Sequence, residues 1–476
     1  LQCGRMSLVL NSQGVVVSLK DTQGSEHLLK DTPSPILRLK TFSGANLETP
    51  RSMTWSEKNG DKWLELKFKE SSAVIRVKEK DAFMTLELTA VKGQQAELVM
   101  WGPYHVNIRD QIAESLGAVY DKEFAIGVMA LNIKTCGGYK TPWDSYRGTV
   151  ATPAGSGAKL QAHARDRTRP GLFTYGKQKR IHVPPIKEET VIGTKIALYG
   201  TASDDLLKLI GKIERAEGLP QPMRNGKWLK ESSYATSSKL ITNFNENTFD
   251  DFLNLADAAG ISCIYNPNVF KTWGTYQVDP GKFPGGMASL KKCVQKARKR
   301  GITLGTHTLT NFIQVNDPLV TPIPHPGLLY AGETTIKKAL DAKATEIVLT
   351  DDAPIMAYDR TGHGKAHIVR IDDELIEFSA RSSNRPWRLT GCKRGAFRTK
   401  IAEHKSGARI VKMVSHGYGV LLPSITLQDE MASRMAKFFN ESGFERLSFD
   451  GLEGCLRTGQ GRYAEERFFK VFFDNL

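Results

Sequence analysis

Two carboxylates near the carboxyl end of the sequence stand where an enzyme would hold a reactive acid. The stretch ERLSFDGLEG, residues 445–454, contains a short apolar run that leads into Asp450 and a glycine-flanked turn, and Glu453 follows three residues later. Hydrolysis of a glycoside needs an acid that protonates the leaving oxygen and a carboxylate that attacks the anomeric carbon or activates water. Asp450 suits one of these roles, and Glu453 suits either the second acid or a ligand for a sugar hydroxyl. The alternative is structural: one of the two caps the next helix or forms a surface ion pair.

Polar and aromatic side chains follow the other predicted strands at the points where those strands end. Asn243 ends one strand, Tyr265 and Asn266 end the next, and His307 ends a third. In a barrel of parallel strands these ends meet at one mouth, where amide, phenol and imidazole groups suit a ligand with many hydroxyls. His307 suits proton transfer or substrate orientation, and a structural histidine is the alternative. Trp273 either stacks on a sugar face or packs beneath the loop that carries it.

Arginine-rich and aromatic stretches earlier in the chain are further candidates for glycan recognition. In HARDRTRPGLF, residues 163–173, Arg165, Arg167 and Arg169 alternate, so they share one face of an extended segment. Arginine binds carboxylate or sulfate groups through two parallel hydrogen bonds, and a solvated run of charge is the alternative. A turn-rich loop, residues 136–148, contains Tyr139, Trp143, Tyr146 and Arg147. This loop either overhangs the barrel mouth or packs its aromatic side chains between domains.

The overall charge favours an anionic partner. The chain has 66 Lys and Arg against 51 Asp and Glu, a net charge of +15. Nucleic-acid-binding signatures are missing, so an acidic polysaccharide or oligosaccharide is the expected partner. No apolar run is long enough to span a membrane.

Nothing in the sequence calls for a cofactor or a metal. The six cysteines form no C-x-x-C pair, and the chain carries no phosphate-cradling loop, nucleophile elbow or dinucleotide fingerprint. The acidic run of Asp372, Asp373 and Glu374 is predicted to lie in a turn rather than to bind a metal.

The first residues, LQCGRM, lack a plausible initiator methionine. They favour removal of an upstream segment and export of the protein to the periplasm or cell surface. Cys3 is a candidate for lipid attachment on the same grounds, although the flanking residues that would identify such a site are not in the sequence.

Periodicity divides the chain into an all-β part and an α/β part. Residues 1–202 alternate apolar and polar positions in many short strands, which predicts a β-sandwich domain. Residues 203–237 are predicted as a linker helix and connection, with Ser203 at its N-terminal cap and Gly218 and Pro220 at its end.

The remaining residues alternate strands with helices, which indicates parallel pairing. Strands are predicted at residues 238–245, 261–268, 302–308 and 446–449, and helices at 248–260, 287–301 and 426–444. The rhythm assigns residues 238–331 and 415–476 to a (β/α)8-type barrel. Residues 332–414 return to β alternation and are predicted to form a small inserted β-module.

Four strand–helix units are half of the eight that a closed barrel needs. Either a second fragment completes the barrel, or the strands form an open α/β sheet. The preceding β-sandwich favours the half-barrel.

One motif carries a family resemblance. The stretch WGTYQVDPGKFPGGMASLKKCVQKARKRGITLGTHT, residues 273–308, resembles the clan D glycoside hydrolases, the α-galactosidase-like enzymes. In that clan an acidic residue and a Lys-Phe-Pro-glycine segment follow the second barrel strand. The matching positions here are Asp279, Lys282, Phe283, Pro284, Gly285, Gly301 and Gly305.

The resemblance implies cleavage of a glycosidic bond, with Asp450 in the place of the nucleophile at the end of barrel strand four. Two features depart from the clan. Ser448 stands two residues before Asp450, where the clan usually has lysine, and the acid/base residue normally comes from a later strand. The leading prediction is a glycoside hydrolase acting on an acidic glycan. The alternatives are a polysaccharide lyase acting on a uronic acid, in which His307 outranks Asp450, and a non-catalytic glycan-binding protein.

Overall fold

The structure, a computed structural model, describes residues 1–137, 150–175, 179–351 and 367–476. These residues form two units, the first from Leu1–Pro170 and Pro184–Glu231 and the second from Gly171–Val183 and Ser232–Leu476. The predicted binding loop with Tyr139, Trp143, Tyr146 and Arg147 lies outside the described residues.

The first unit is built from antiparallel sheets, as the alternating pattern predicted. The largest has eight strands, in the order Gln111–Ala113, Ala118–Tyr120, Phe124–Ala130, Lys195–Ala202, Met84–Gly93, Ser71–Glu79, Asp61–Lys67 and Ser52–Lys58. A second sheet contains Cys136–Gly137, Gly157–Arg165, Ala96–Val106 and Leu37–Thr41, with Val150–Ala154 paired to Gly157–Arg165. Smaller sheets comprise Gln2–Cys3, Met6–Leu10, Val15–Asp21 and Ser34–Pro35, and Met223–Arg224 with Lys227–Trp228.

The two larger sheets bury their apolar faces in one core. Leu64 and Ile75 from the eight-stranded sheet join Trp101 and Leu160 from the other, because alternate side chains of each strand point to the same face. The helix α1 (Leu206–Ala216) belongs to this unit. Cys3 is also buried in the core, and burial raises the pKa of its thiol to about 12. Lipid attachment at Cys3 stays a prediction.

The second unit is organised around a parallel sheet, which confirms the parallel pairing predicted from the sequence. Its strands, in sheet order and chain order, are β1 (Lys239–Ile241), β2 (Cys263–Asn266), β3 (Thr303–Leu309) and β4 (Arg446–Asp450). Its helices are α2 (Phe249–Ala258), α3 (Met287–Lys299), α4 (Ile425–Ser442), α5 (Glu453–Leu456) and α6 (Arg462–Asp474). Within the described residues the four strands form an open sheet rather than a closed barrel.

Helices cover one face of the parallel sheet. Ile264 and Leu304 are almost fully buried in the core that these helices share. Phe449 of β4 lies on the same face, with its ring 5.1 Å from that of Phe472 on α6. The last helix, α6, also packs on α4, and Arg467 binds the carboxylate of Asp429 through two nitrogens at 3.0 and 2.7 Å. None of the described helices is long and apolar enough to cross a membrane.

Antiparallel sheets interrupt the parallel pattern between β3 and α4. One has the strands Tyr330–Thr335, Arg409–Met413, Ile368–Ile371 and Glu374–Glu377, and another has Glu346–Val348, Arg388–Thr390 and Ala380–Arg381. A third joins Ile313–Gln314, Val420–Leu421 and Ser415–His416. The predicted boundaries of the inserted module, residues 332–414, stay a prediction.

A buried carboxylate lies within the predicted module. Asp372 and Asp373 lie in the turn that the sequence predicted, whereas Glu374 begins a strand and is 1% exposed. Arg394 donates two hydrogen bonds to Glu374, at 2.8 and 2.7 Å, and His404 Nε2 lies 2.9 Å from its Oε2 atom. Burial by itself raises the pKa of the Glu374 carboxyl, but the hydrogen bonds from Arg394 and His404 outweigh it and lower the pKa below its usual value.

A β-hairpin from the sequence of the first domain belongs to the second unit. Its strands, Gly171–Tyr175 and Lys179–Val183, pair with each other. Their alternation predicted strands, but which core they join is decided by contacts between residues distant in sequence.

Candidate active site

The face of the parallel sheet that the helices leave uncovered carries several of the polar residues predicted at the strand ends. Strand register places Tyr265 beside Gly305, His307 beside Ser448, and Leu309 beside Asp450. Because alternate residues of a strand point to the same side, these residues lie on one face, which we call the open face. Ser448 and Asp450 are exposed there.

Glycine at position 305 makes room for the tyrosine on this face. A Cβ atom at Gly305 would lie 2.9 Å from Tyr265 Cδ2 and 2.9 Å from Arg446 Cβ. Any larger residue would therefore displace the Tyr265 ring. This contact explains on steric grounds why glycine occupies the first position of the GTHT stretch, residues 305–308.

The open face is closed at the end where the strands begin. The Tyr234 hydroxyl lies 2.5 Å from Thr303 Oγ1, and the Arg446 guanidinium stacks 3.9 Å from the centre of the Tyr234 ring. Arg446 also donates hydrogen bonds to the Tyr234 carbonyl and to Ser237 Oγ. The segment before β1 thus covers the amino-terminal end of the face, and access remains at the end that holds Asp450.

Tyr265 lies on the same face as the candidate nucleophile and keeps its phenol protonated. The residue is 7% exposed. Burial raises the pKa of its phenol, a hydrogen bond with Ser448 opposes the rise, and the negative charge of Asp450 adds to it. With a pKa above the usual value of about 10, the phenol keeps its proton throughout the neutral range. Ser448 therefore supports the phenol at the position where lysine was expected.

Asp450 carries a carboxylate without a counter-ion. Its Oδ1 atom accepts a hydrogen bond of 2.8 Å from the Gly451 backbone, and no cation pairs with it among the residues that the structure describes. Its backbone carbonyl accepts a hydrogen bond of 2.6 Å from Thr310, which fixes the end of β4 to the loop after β3. An exposed, unpaired carboxylate at the carboxyl end of a parallel strand is available to a ligand.

The turn after Asp450 is held tightly against the neighbouring loop. Gly451 has a φ of +72°, and a Cβ atom there would lie 2.7 Å from the Phe312 ring, so only glycine fits. Glu453 follows as the first residue of α5 and is exposed. Asn311 supports the loop from below, since its buried amide donates to Gln428 of α4 at 3.0 Å.

An aromatic cluster borders the same end of the open face, and sequence reasoning identified only one of its members. Trp273 is partly buried against Phe312, Leu309 packs on the same cluster, and Leu309 is the register partner of Asp450. Tyr418 is 62% exposed, and its ring centre lies 6.0 Å from that of Phe312. The HGYG turn, residues 416–419, is the signal that could have indicated Tyr418, because glycines flank an aromatic residue.

The asparagines at the strand ends divide into one exposed and one structural residue. Asn266 is fully buried, and its amide donates to the Phe244 carbonyl at 2.7 Å while its Oδ1 accepts from the Asn268 backbone at 2.9 Å. These bonds shape the loop after β2 and leave Asn266 no contact with solvent. Asn243 is exposed and accepts a hydrogen bond of 2.6 Å from Asn268 Nδ2.

The residues of the Lys-Phe-Pro motif support this end of the sheet from outside the open face. Lys282 Nζ donates to the Asn268 carbonyl at 2.6 Å, and Phe283 is fully buried. Asp279 accepts a hydrogen bond of 2.9 Å from the Gly281 backbone. The motif therefore fixes the loop that follows β2.

The two predicted glycan-binding arginines belong to the first unit. Arg165 ends a strand and lies 3.8 Å from Glu97. Arg167 is 6% exposed and donates to the Arg165 carbonyl at 3.0 Å. Both side chains therefore have partners within the protein.

Among the described residues, no group of three or more His, Cys, Asp or Glu side chains could hold a metal ion.

Comparison with solved structures finds similarity to enzymes that act on α-galactosides. The α-N-acetylgalactosaminidase NagBb from Bifidobacterium bifidum, in complex with GalNAc, matches with a TM-score of 0.44 and 9% identity over 100% of this chain and 74% of that chain. The α-galactosidase AgaA from Geobacillus stearothermophilus matches with a TM-score of 0.41 and 8% identity over 100% and 70%. The α-galactosidase TtGalA from Thermus thermophilus matches with a TM-score of 0.33 and 11% identity over 91% and 68%.

These matches are to clan D-like glycoside hydrolases. The chain is structurally similar to them at low sequence identity, as the sequence motif predicted. No family model and no curated protein matches the sequence.

Proposed function

We propose that this protein hydrolyses O-glycosidic bonds at the open face. The observation that carries the proposal is the Asp450 carboxylate, unpaired among the described residues, on the same face of the sheet as Tyr265 and His307. A carboxylate, a phenol and an imidazole on one face can stabilise positive charge at an anomeric carbon and move a proton.

Each side chain takes a distinct role in this proposal. Asp450 attacks the anomeric carbon or activates water, and Tyr265 donates a hydrogen bond that positions the substrate against it. His307 or Glu453 transfers the proton to the leaving oxygen. Asn243 and Trp273 border the open end of the face, where Asn243 binds hydroxyls and Trp273 supports the aromatic cluster.

We also propose that the parallel sheet is part of a larger barrel. Ile241 of β1 is 66% exposed on the open face, and in the described residues β1 and β4 each pair with a strand on one side only. In a closed barrel, inward side chains fill the interior and no strand edge is free. Further strands beyond those described would therefore complete both the core and the site.

The net charge of +15 supports an acidic glycan as the substrate. Hydrolysis should be tested on uronate-containing polysaccharides and on α-galactosides, the substrates that the names of the similar enzymes suggest. We propose that the protein is exported to the periplasm or cell surface, since such polysaccharides occur outside the cell.

Substitution of Asp450 tests the proposal. Asp450→Asn keeps the size of the side chain but removes its charge, so we expect turnover to fall by roughly 10³-fold, equivalent to about 4 kcal/mol of transition-state stabilisation. The matched control is Asp251→Asn, which removes a charge from an exposed position on α2 and should leave turnover unchanged. The measurement is release of reducing ends, with thermal unfolding to verify the fold. Full activity in Asp450→Asn would exclude the proposed nucleophile.

The pairing of Tyr265 and His307 on one face also suits a polysaccharide lyase. In that reaction a base removes the proton next to a uronate carboxylate, and the product gains a double bond that absorbs ultraviolet light. Such a product, together with loss of activity in His307→Ala but not in Asp450→Asn, would show that the reaction is an elimination and not a hydrolysis. Glycan binding without turnover by the wild-type protein would indicate a non-catalytic binding protein.

A further inference from the structure

A cavity beside the four-stranded antiparallel sheet of the second unit is lined by none of the residues of the open face. Its volume is about 380 Å³, and one face of the four-stranded antiparallel sheet forms its floor. We call it the module cavity, and its lining residues are Pro326, Leu328, Tyr330, Arg370, Asp372, Asp373, Arg409, Val411 and Met413. The volume falls within the range of small-molecule sites, about 300–1,000 Å³.

The lining separates into an apolar floor and a polar rim. Leu328, Val411 and Met413 are buried and form the floor. Tyr330 stands at one side, with the Arg409 guanidinium 5.0 Å from its ring centre. Strand alternation explains the floor, because Val411 and Met413 are two residues apart and point to the same face.

The charged groups of the rim already have polar partners within the protein. Arg370 lies 3.4 Å from the Asp373 carboxylate, and Arg409 Nε lies 2.9 Å from Glu333. Asp372 Oδ2 lies 2.9 Å from His404 Nδ1. An anionic ligand would have to compete with these carboxylates for the arginines. The rim therefore offers hydrogen bonds to a ligand but does not strongly attract an anion.

Arg370 is also fixed in place by the backbone. Its Nε atom donates to the Asp372 carbonyl at 2.6 Å, and its Nη1 atom donates to the His325 carbonyl at 2.9 Å. The guanidinium therefore holds the turn that carries the two aspartates. Asp372 and Asp373 have 68% exposed side chains, so their remaining oxygen lone pairs face solvent.

We propose that the module cavity binds a neutral sugar residue of a glycan. The C–H face of a sugar ring would lie on the Val411 and Met413 floor against Tyr330, and its hydroxyls would donate to Asp372 and Asp373. This site is independent of catalysis at the open face, and it would anchor a polysaccharide without cleaving it.

Binding by the full chain carrying Asp450→Asn tests the proposal, because that variant separates retention from turnover. The probes are galactomannan and dextran as neutral polysaccharides and polygalacturonate as the acidic comparison, in affinity gel electrophoresis. We expect retardation by a neutral polysaccharide, weakened about fivefold or more by Tyr330→Ala and by Asp373→Ala, since each removes a main contact. Asp373→Ala changes an exposed residue, so it remains informative if Tyr330→Ala does not fold.

The matched control is Trp55→Ala, which removes an aromatic residue that is 62% exposed in the first unit. We expect it to leave retardation unchanged. The proposal fails if neither neutral polysaccharide is retarded, or if Asp373→Ala binds as tightly as the parent. It also fails if Trp55→Ala removes the binding, or if the cavity substitutions weaken binding of polygalacturonate alone. Loss of turnover in Asp450→Asn has no bearing on any of these outcomes.

Discussion

The substitution Tyr265→Phe, which removes a single oxygen atom, tests whether the Tyr265 hydroxyl serves catalysis or only stabilises the fold. Tyr265→Phe keeps the ring that packs over Gly305 and deletes the hydroxyl that interacts with Ser448 on the face that carries Asp450. Loss of one hydroxyl hydrogen bond should lower the free energy of unfolding by about 1 kcal/mol. Loss of a preorganised donor at the reacting centre should lower kcat/KM by about 10²-fold, or about 2.7 kcal/mol. The effect on activity should therefore exceed the effect on stability.

Tyr234→Phe is the matched control for this substitution. Its hydroxyl bonds to Thr303 on the same face but at the closed end, so its loss should cost a similar amount of stability and leave kcat/KM within about twofold. The assays are initial rates on the substrate that the wild type cleaves best and urea denaturation of each variant. Equal activity of Tyr265→Phe and wild type, or equal losses in both variants, would refute the role of the Tyr265 phenol.

Two further predictions concern charge. Glu374→Gln leaves the buried Arg394 without its carboxylate, so urea denaturation should show a loss of about 3–5 kcal/mol, against less than about 1 kcal/mol for the exposed pair broken by Glu333→Gln. The pKa of Glu374 is lower in the folded protein than in the unfolded chain. The stabilisation of the fold by the Glu374 carboxylate is therefore complete above about pH 4.3 and is lost as the pH falls through the folded pKa. Equal acid sensitivity of wild type and Glu374→Gln would contradict this. Retention of polygalacturonate should weaken as salt rises from about 0.05 to 0.5 M, because charges are screened beyond about 10 Å at 0.1 M, whereas salt-independent retention would exclude an electrostatic contribution.

The strand and helix pattern was accessible from the sequence because it depends on local periodicity. The four parallel strands, the helices between them and the antiparallel first unit all follow from the periodicity of apolar residues, although α1 begins at Leu206 and not directly after Ser203, the predicted cap. Asp450 was identifiable for the same reason, since a carboxylate that ends an apolar strand of a parallel sheet is placed by chain order alone.

The partition of strand-end residues between the two faces depends on the tertiary structure. Tyr265 and Asn266 are adjacent polar residues at the end of one buried strand, and nothing in their types shows which faces a ligand. Strands of a parallel sheet are apolar on both sides, so alternation does not reveal which side the helices cover. Packing of the helices decided it, giving Tyr265 to the open face and Asn266 to the backbone of a neighbouring loop.

Long-range contacts decided the remaining features. Tyr234 closes the open face through Thr303 and Arg446, residues about 70 and 210 positions away in the sequence. Glu374, the third of three consecutive acids, is buried only because Arg394 and His404 are brought to it by later segments of the chain. The sequence by itself determined which elements form and where Asp450 lies, because each depends on neighbours along the chain. The environment of each polar side chain was decided by the tertiary structure, because burial and hydrogen bonding depend on residues that only folding brings together.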